Sequence, residues 1–199
     1  MLAKEGLVRM KRLLIWIMTL VIGLSGMSGA LAEPLTLTFE TPYFTLMLPE
    51  DWEIYDPDPE DNGSGENIWD LGFVSSPDED YYIIEAAMQY LEDWKDTSLW
   101  DADEEQLEEY IDITMHDFED KDGQFIDLFY AGNIPFIMLK YASQDRGDTL
   151  YADTMTNGYV IMFYIFKTSL DTDKYYDLTE EDIAQVTRIL ETFRPLSPQ

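Results

Sequence analysis

The chain has 199 residues, 41 acidic against 12 basic side chains, a formal net charge of −29, and apolar and aromatic fractions of 46% and 14%. That much apolar surface excludes a disordered acidic tail, and so few cations exclude nucleic acid or anionic lipid as partners, since both need clustered Lys or Arg to displace counterions. No cysteine occurs, which removes disulfides, thiolate nucleophiles, thiolate zinc sites and lipidation of a leader together.

The N-terminus reads as a signal peptide. Basic Lys11 and Arg12 precede the apolar run Leu13 to Leu24, and a small-residue stretch closes on Ala30-Leu31-Ala32. Such a run makes a helix of about 18 Å, short of a hydrocarbon core of about 30 Å. Export with cleavage after Ala32 is expected, Ala30 and Ala32 being the cleavage-site residues, with no stable membrane insertion afterwards. The alternative is an uncleaved N-terminal anchor, because weakly apolar residues continue to Ala32. The pattern is complete from Met10, a second candidate start. Removing the leader's +3 (Lys4, Arg9, Lys11 and Arg12 against Glu5) leaves −32 on residues 33–199, expected to be one acidic globular domain, secreted or periplasmic.

Leu35 to Phe39 alternates apolar and polar as a half-buried strand does, and Thr41-Pro42 separates it from a second strand, Tyr43 to Leu48. Pro49-Glu50-Asp51-Trp52 marks a turn with Trp52 folding back onto the core, followed by a short extended piece, Glu53 to Tyr55. Residues 56–67 hold no apolar side chain except their prolines and read as a mobile surface loop. Ile68 to Val74 and Tyr81 to Tyr90 are strands joined by turn residues, an expected hairpin.

From Asp103 to Phe118 the period changes. Leu107, Tyr110, Ile111, Thr114, Met115 and Phe118 fall on one helical face, with Asp103 or Asp101 able to cap its start. Four further strands follow: Gln124 to Tyr130, Ile134 to Ala142, Thr149 to Met155 and Tyr159 to Phe166, the last pair joined at Asn157-Gly158. Tyr159 to Phe166 is apolar on both alternating faces, so it should lie centrally with both faces covered. A closing helix begins at Thr179 with Asp182 in a capping-box arrangement. Its stripe is Ile183, Val186, Ile189, Leu190 and Phe193; Pro195 stops it and opens a short free tail. The fold class is α+β, a mainly antiparallel sheet of about six to eight strands flanked by helices.

Three phrases carry a family resemblance: Tyr43-Phe44-Thr45-Leu46-Met47-Leu48-Pro49-Glu50-Asp51-Trp52, the strand pair meeting at Asn157-Gly158-Tyr159, and Ile189-Leu190-Glu191-Thr192-Phe193 at the close of the last helix. With the order of elements between 35 and 196, they resemble the PsbP-like α/β/α sandwich family of extrinsic photosystem subunits and small exported bacterial proteins. The resemblance implies a binding or assembly module without a shared catalytic site, and carries over no functional residue.

The lone histidine, His116, points away from the helical stripe and has Asp112 and Asp120 four residues to either side, which suits an exposed charged neighbour rather than a triad member. One His and no Cys leaves only carboxylates for a metal, which suit hard cations. Asp58, Glu60 and Asn62, followed by Gly63, imitate the first positions of a calcium loop, but its twelfth position is Trp69 where a bidentate Glu is needed. Trp69, Trp94 and Trp100 could stack on a sugar or a peptide, with core packing the plainer use of such aromatics. The leading reading is an exported non-catalytic binding or accessory domain that holds an envelope or extracellular protein or a small ligand. The alternatives are an acidic calcium-binding module and a carboxylate-dependent extracellular hydrolase, the latter requiring close acids of raised pKa in a cleft.

Overall fold

A computed structural model describes residues 33–57, 68–77, 80–169 and 174–196. The candidate calcium ligands Asp58, Glu60 and Asn62, most of the 56–67 loop, and the cleavage residues Ala30 and Ala32 lie outside the described residues.

Each expected strand is present. They are β1 (Leu35–Glu40), β2 (Phe44–Pro49), β3 (Glu53–Tyr55), β4 (Ile68–Ser75), β5 (Asp80–Tyr90), β6 (Gln124–Ala131), β7 (Ile134–Ser143), β8 (Gly147–Thr156) and β9 (Tyr159–Ser169). Two short strands not foreseen, β10 (Tyr175–Tyr176) and β11 (Arg194–Pro195), complete the set. The helices are α1 (Glu104–Asp117) and α2 (Glu180–Leu190).

The main sheet runs β3-β4-β5-β9-β8-β7-β6 with antiparallel pairing throughout, β10 adding to β9. Strand β9 therefore sits inside the sheet, as its two apolar faces require. One face packs against α2 and a second sheet, β1-β2-β11. There Phe44, Phe136, Phe163 and Phe193 are fully buried, with Phe136 and Phe193 edge to face at 5.1 Å between centroids. The opposite face packs against α1 through Leu107 and Tyr110, which meet Leu139, Tyr151, Met155 and Met162. The result is a three-layer arrangement with helical cover on both faces, and Trp52 is buried and stacked on Tyr82.

Both helices begin in capping boxes. The Asp103 side chain accepts from Gln106 N while Gln106 Oε1 accepts from Asp103 N, and Thr179 and Asp182 make the same exchange. Helix α2 ends at Leu190, earlier than Pro195 would have stopped it.

The C-terminal segment corrects the expected free tail. Arg194 and Pro195 pair with Thr45 and Phe44 of β2, and Leu196 N donates to Tyr43 O at 2.7 Å. Proline lacks an N–H and fits an edge strand of this kind, where it need not donate to the ladder.

A bulge in β4 also departs from simple alternation. Asp70 pairs with Ala87 and Phe73 with Glu85, so β4 holds one extra residue there. Gly72 occupies the bulge at φ +95°, and a Cβ on it would come within 2.5 Å of Tyr55 O. The extra residue turns Leu71 and Val74, three apart, onto the same core.

Candidate functional site: an aromatic cleft

Three neighbouring strands place one row of side chains across the sheet. Trp69 on β4 lies opposite Met88 on β5, and Met88 lies opposite Ile161 on β9. The row continues to Thr154 on β8, which pairs with Ile161. Thr154 Oγ1 accepts a hydrogen bond from Trp100 Nε1 at 3.1 Å, fixing the indole that follows the row's end.

Above this row is a cleft of about 590 Å³, within the range of small-molecule sites. Met88 and Ile161 are buried and form its floor; Trp69 and Trp100 are half-buried at its sides. Tyr43, Pro195 and Leu196 close it from the small sheet, which is why the tie between Leu196 and Tyr43 matters. Thr156, Asn157 and Tyr159 supply the remaining edge from the β8–β9 turn.

That turn is held rigidly. Asn157 at φ +49° and Gly158 at φ +77° make the two left-handed residues of the hairpin, the reason for the Asn-Gly pair. Gly158 also packs against residues 91–97: Leu91 N donates to Gly158 O at 2.8 Å, and Gly158 N donates to Thr97 O at 3.4 Å. Thr156 accepts from Ser98 Oγ at 3.2 Å and pairs with it as a β-bridge.

Among the described residues, none of the lining side chains carries a carboxylate, imidazole, amine or guanidinium. The two acids with raised pKa among the described residues lie elsewhere. Asp127 is raised by burial on β6, and Asp153, nearly inaccessible beneath α1, is pushed up by burial to about 7 while hydrogen bonds from Tyr110 and Tyr151 offset part of that shift. Among the described residues no group of three or more His, Cys, Asp or Glu is placed to hold a metal, and no helix is long and apolar enough to cross a membrane.

Of the aromatics singled out in the sequence, the structure brings Trp69 and Trp100 together and separates Trp94. The Trp94 ring packs edge-on against Tyr110 of α1, 6.1 Å between centroids, on the opposite face of the sheet. His116 is exposed as expected, but Nδ1 faces Glu119 at 3.3 Å rather than Asp112 or Asp120, because the chain turns into a 3-10 turn after Phe118. Tyr43, Tyr159 and the C-terminal residues were not foreseen as site residues; their signal is tertiary, arising from the pairing of β11 with β2.

No family model matches this chain, and none of the curated proteins matches it. The structure is similar to that of cyanobacterial PsbP. The solution structure of that protein (CyanoP) from Synechocystis sp. PCC 6803 matches with a TM-score of 0.46 and 12% identity, covering 86% of this chain and 98% of that one. A crystal structure from Bacteroides thetaiotaomicron VPI-5482 matches with a TM-score of 0.44 and 11% identity, covering 82% of this chain and 50% of the other. These similarities describe the course of the chain, and no ligand, partner or activity passes through them.

Proposed function

We propose that the chain is an exported, non-catalytic binding or accessory domain whose ligand seats in the aromatic cleft. The row Trp69, Met88 and Ile161, in a cleft that Trp100 and Tyr43 also line, carries the reading. Aromatic rings around an apolar floor favour a ligand with an apolar or planar body, and a few polar edges, Thr156 and Asn157 here, orient it.

Two other readings have less support. Calcium binding rests on Asp58, Glu60 and Asn62 alone, in a loop that lacks the bidentate Glu. Hydrolysis needs close carboxylates facing the substrate, and none is among the described residues of the cleft lining.

The cleft is tested by titrating the mature domain with the neutral fluorophore N-phenylnaphthylamine. Saturable enhancement is expected, with Trp69→Ala weakening it at least tenfold; an unsaturable signal that Trp69→Ala leaves unchanged overturns the site. Export is tested by N-terminal sequencing of material recovered outside the cell. A mature end at Glu33 is expected, and a chain found only inside the cell with residues 1–32 attached overturns it.

A further inference from the structure

We infer that the cleft selects an organic cation, an amine or quaternary ammonium joined to an apolar or planar body. The inference rests on the cleft being the binding site and adds the charge of its ligand.

Four rings, Tyr43, Trp69, Trp100 and Tyr159, line a site without a charged side chain among the described residues. The faces of these rings carry partial negative charge and attract a cation within about 6 Å of the centroid. Nothing in the described lining would neutralise an anion. The protein's field has the same sign as the rings: −29 over the whole sequence, with 41 acids against 12 bases. A cleft with low-dielectric walls in such a field concentrates cations and repels anions.

The nearest rim strengthens the bias. Residues Glu92, Asp93 and Asp96, with only Lys95 among them, form the turn that packs on Gly158, between lining residues Asn157 and Tyr159. Lys95 Nζ is engaged by Glu92 Oε1 at 3.1 Å. The Tyr90 ring lies 4.8 Å from the Tyr159 ring and its hydroxyl donates to Glu92 Oε2 at 3.0 Å, so this acidic turn adjoins the cleft wall. Asp101 follows Trp100 directly in the chain. Arg194, next to the lining residue Pro195, donates through Nη1 to the carbonyls of Glu191 and Phe193.

An alkali cation is a poor match for this site, since it is strongly hydrated and the described lining side chains include no carboxylate to replace that water. An organic cation differs in carrying an apolar body, which it buries on Met88 and Ile161 while its head, weakly hydrated if quaternary and partly solvated if an ammonium, stays at the aromatic faces and the acidic rim. Cation–π contact strengthens binding by about two- to thirtyfold, and the rim adds a part that salt screens.

The test uses three ligands with one ring and different charge: tryptamine, tryptophol and indole-3-propionate, titrated calorimetrically into the mature domain. Tryptamine is expected to bind at least tenfold more tightly than tryptophol at about 10 mM salt, with the ratio narrowing but staying above one at about 300 mM. Indole-3-propionate should not saturate. Asp93→Asn with Asp96→Asn should weaken tryptamine two- to fivefold and leave tryptophol unchanged; equal effects on both, or none, remove the rim from the account. If N-phenylnaphthylamine binds but tryptamine binds no better than tryptophol, or none of the three indoles binds, the cation assignment falls and the cleft stands. If N-phenylnaphthylamine also fails, the cleft falls with it.

Discussion

The Tyr110 hydroxyl of α1 donates to Asp153 Oδ2 of β8 at 2.5 Å, joining the helix to the sheet through a carboxyl that is only 1% exposed. The other oxygen, Oδ1, has no hydrogen-bond partner among the described residues. Burial favours the protonated acid and raises its pKa to about 7. A folded-state value above the unfolded one contributes stability that is complete below about pH 4 and is lost as pH rises through about 7. Asp153→Asn removes that loss, which is on the order of a few kcal/mol. Thermal melts should therefore show the variant close to or below the wild type at pH 5 and above it at pH 8. Parallel profiles from pH 5 to pH 8 would refute the assignment.

Gly158 should tolerate no side chain. A Cβ there would stand 2.8 Å from Leu91 O and 2.9 Å from Lys95 Cα, on a backbone at φ +77°. Gly158→Ala is expected to cost about 1–3 kcal/mol in urea denaturation and to weaken N-phenylnaphthylamine binding several-fold, because the turn carrying Asn157 and Tyr159 must shift. Unchanged stability would show that residues 91–97 give way freely.

Strands, helices and caps were legible in the sequence because each rests on local signals. The period of Leu107 to Phe118, the Thr179–Asp182 capping box and the Asn157-Gly158 turn need no knowledge of the rest of the chain. The cleft was not legible, since it depends on register. Trp69 and Met88 meet only because β4 pairs with β5 at that position, and the extra residue near Gly72 reverses the alternation that β4 otherwise implies. Arg194 and Pro195 gave no strand signal because two residues are too few to show a period; partners on β2 determine their conformation. Asp153 did leave a trace, being an acid between Tyr151 and Met155 on the inward face of an apolar strand.

Asp182 should show the opposite pH dependence to Asp153. Burial raises its pKa, but hydrogen bonds from Tyr82 and Thr179 and the Lys167 ammonium at 3.4 Å outweigh burial and hold the carboxyl below its ordinary value. A depressed folded-state value contributes stability above about pH 4 that is lost as pH falls through it. Asp182→Asn is expected to cost about 2–3 kcal/mol at pH 7, since it weakens the cap of α2 and the link to β5 together, and less as the pH falls below about 4. Equal costs above and below that pH in urea denaturation would show that the charge contributes nothing.

Trp69 and Trp94 are equivalent candidates by sequence and should separate cleanly by experiment. Trp94 faces α1 through Tyr110, and Trp94→Phe keeps an apolar ring in that contact and so keeps the turn that carries it. Its melting temperature should fall by a few degrees, from the lost area of about one fused ring, while affinity for N-phenylnaphthylamine stays within twofold. Trp69 stands over the cleft beside Met88, so Trp69→Ala should lower that affinity at least tenfold. The half-buried position of Trp69 makes some loss of stability unavoidable, so affinity is to be compared at a temperature where both variants are fully folded. Were Trp94→Phe to weaken binding as much as Trp69→Ala, the ligand would have to contact the α1 face, and the row Trp69, Met88 and Ile161 would no longer define where it sits.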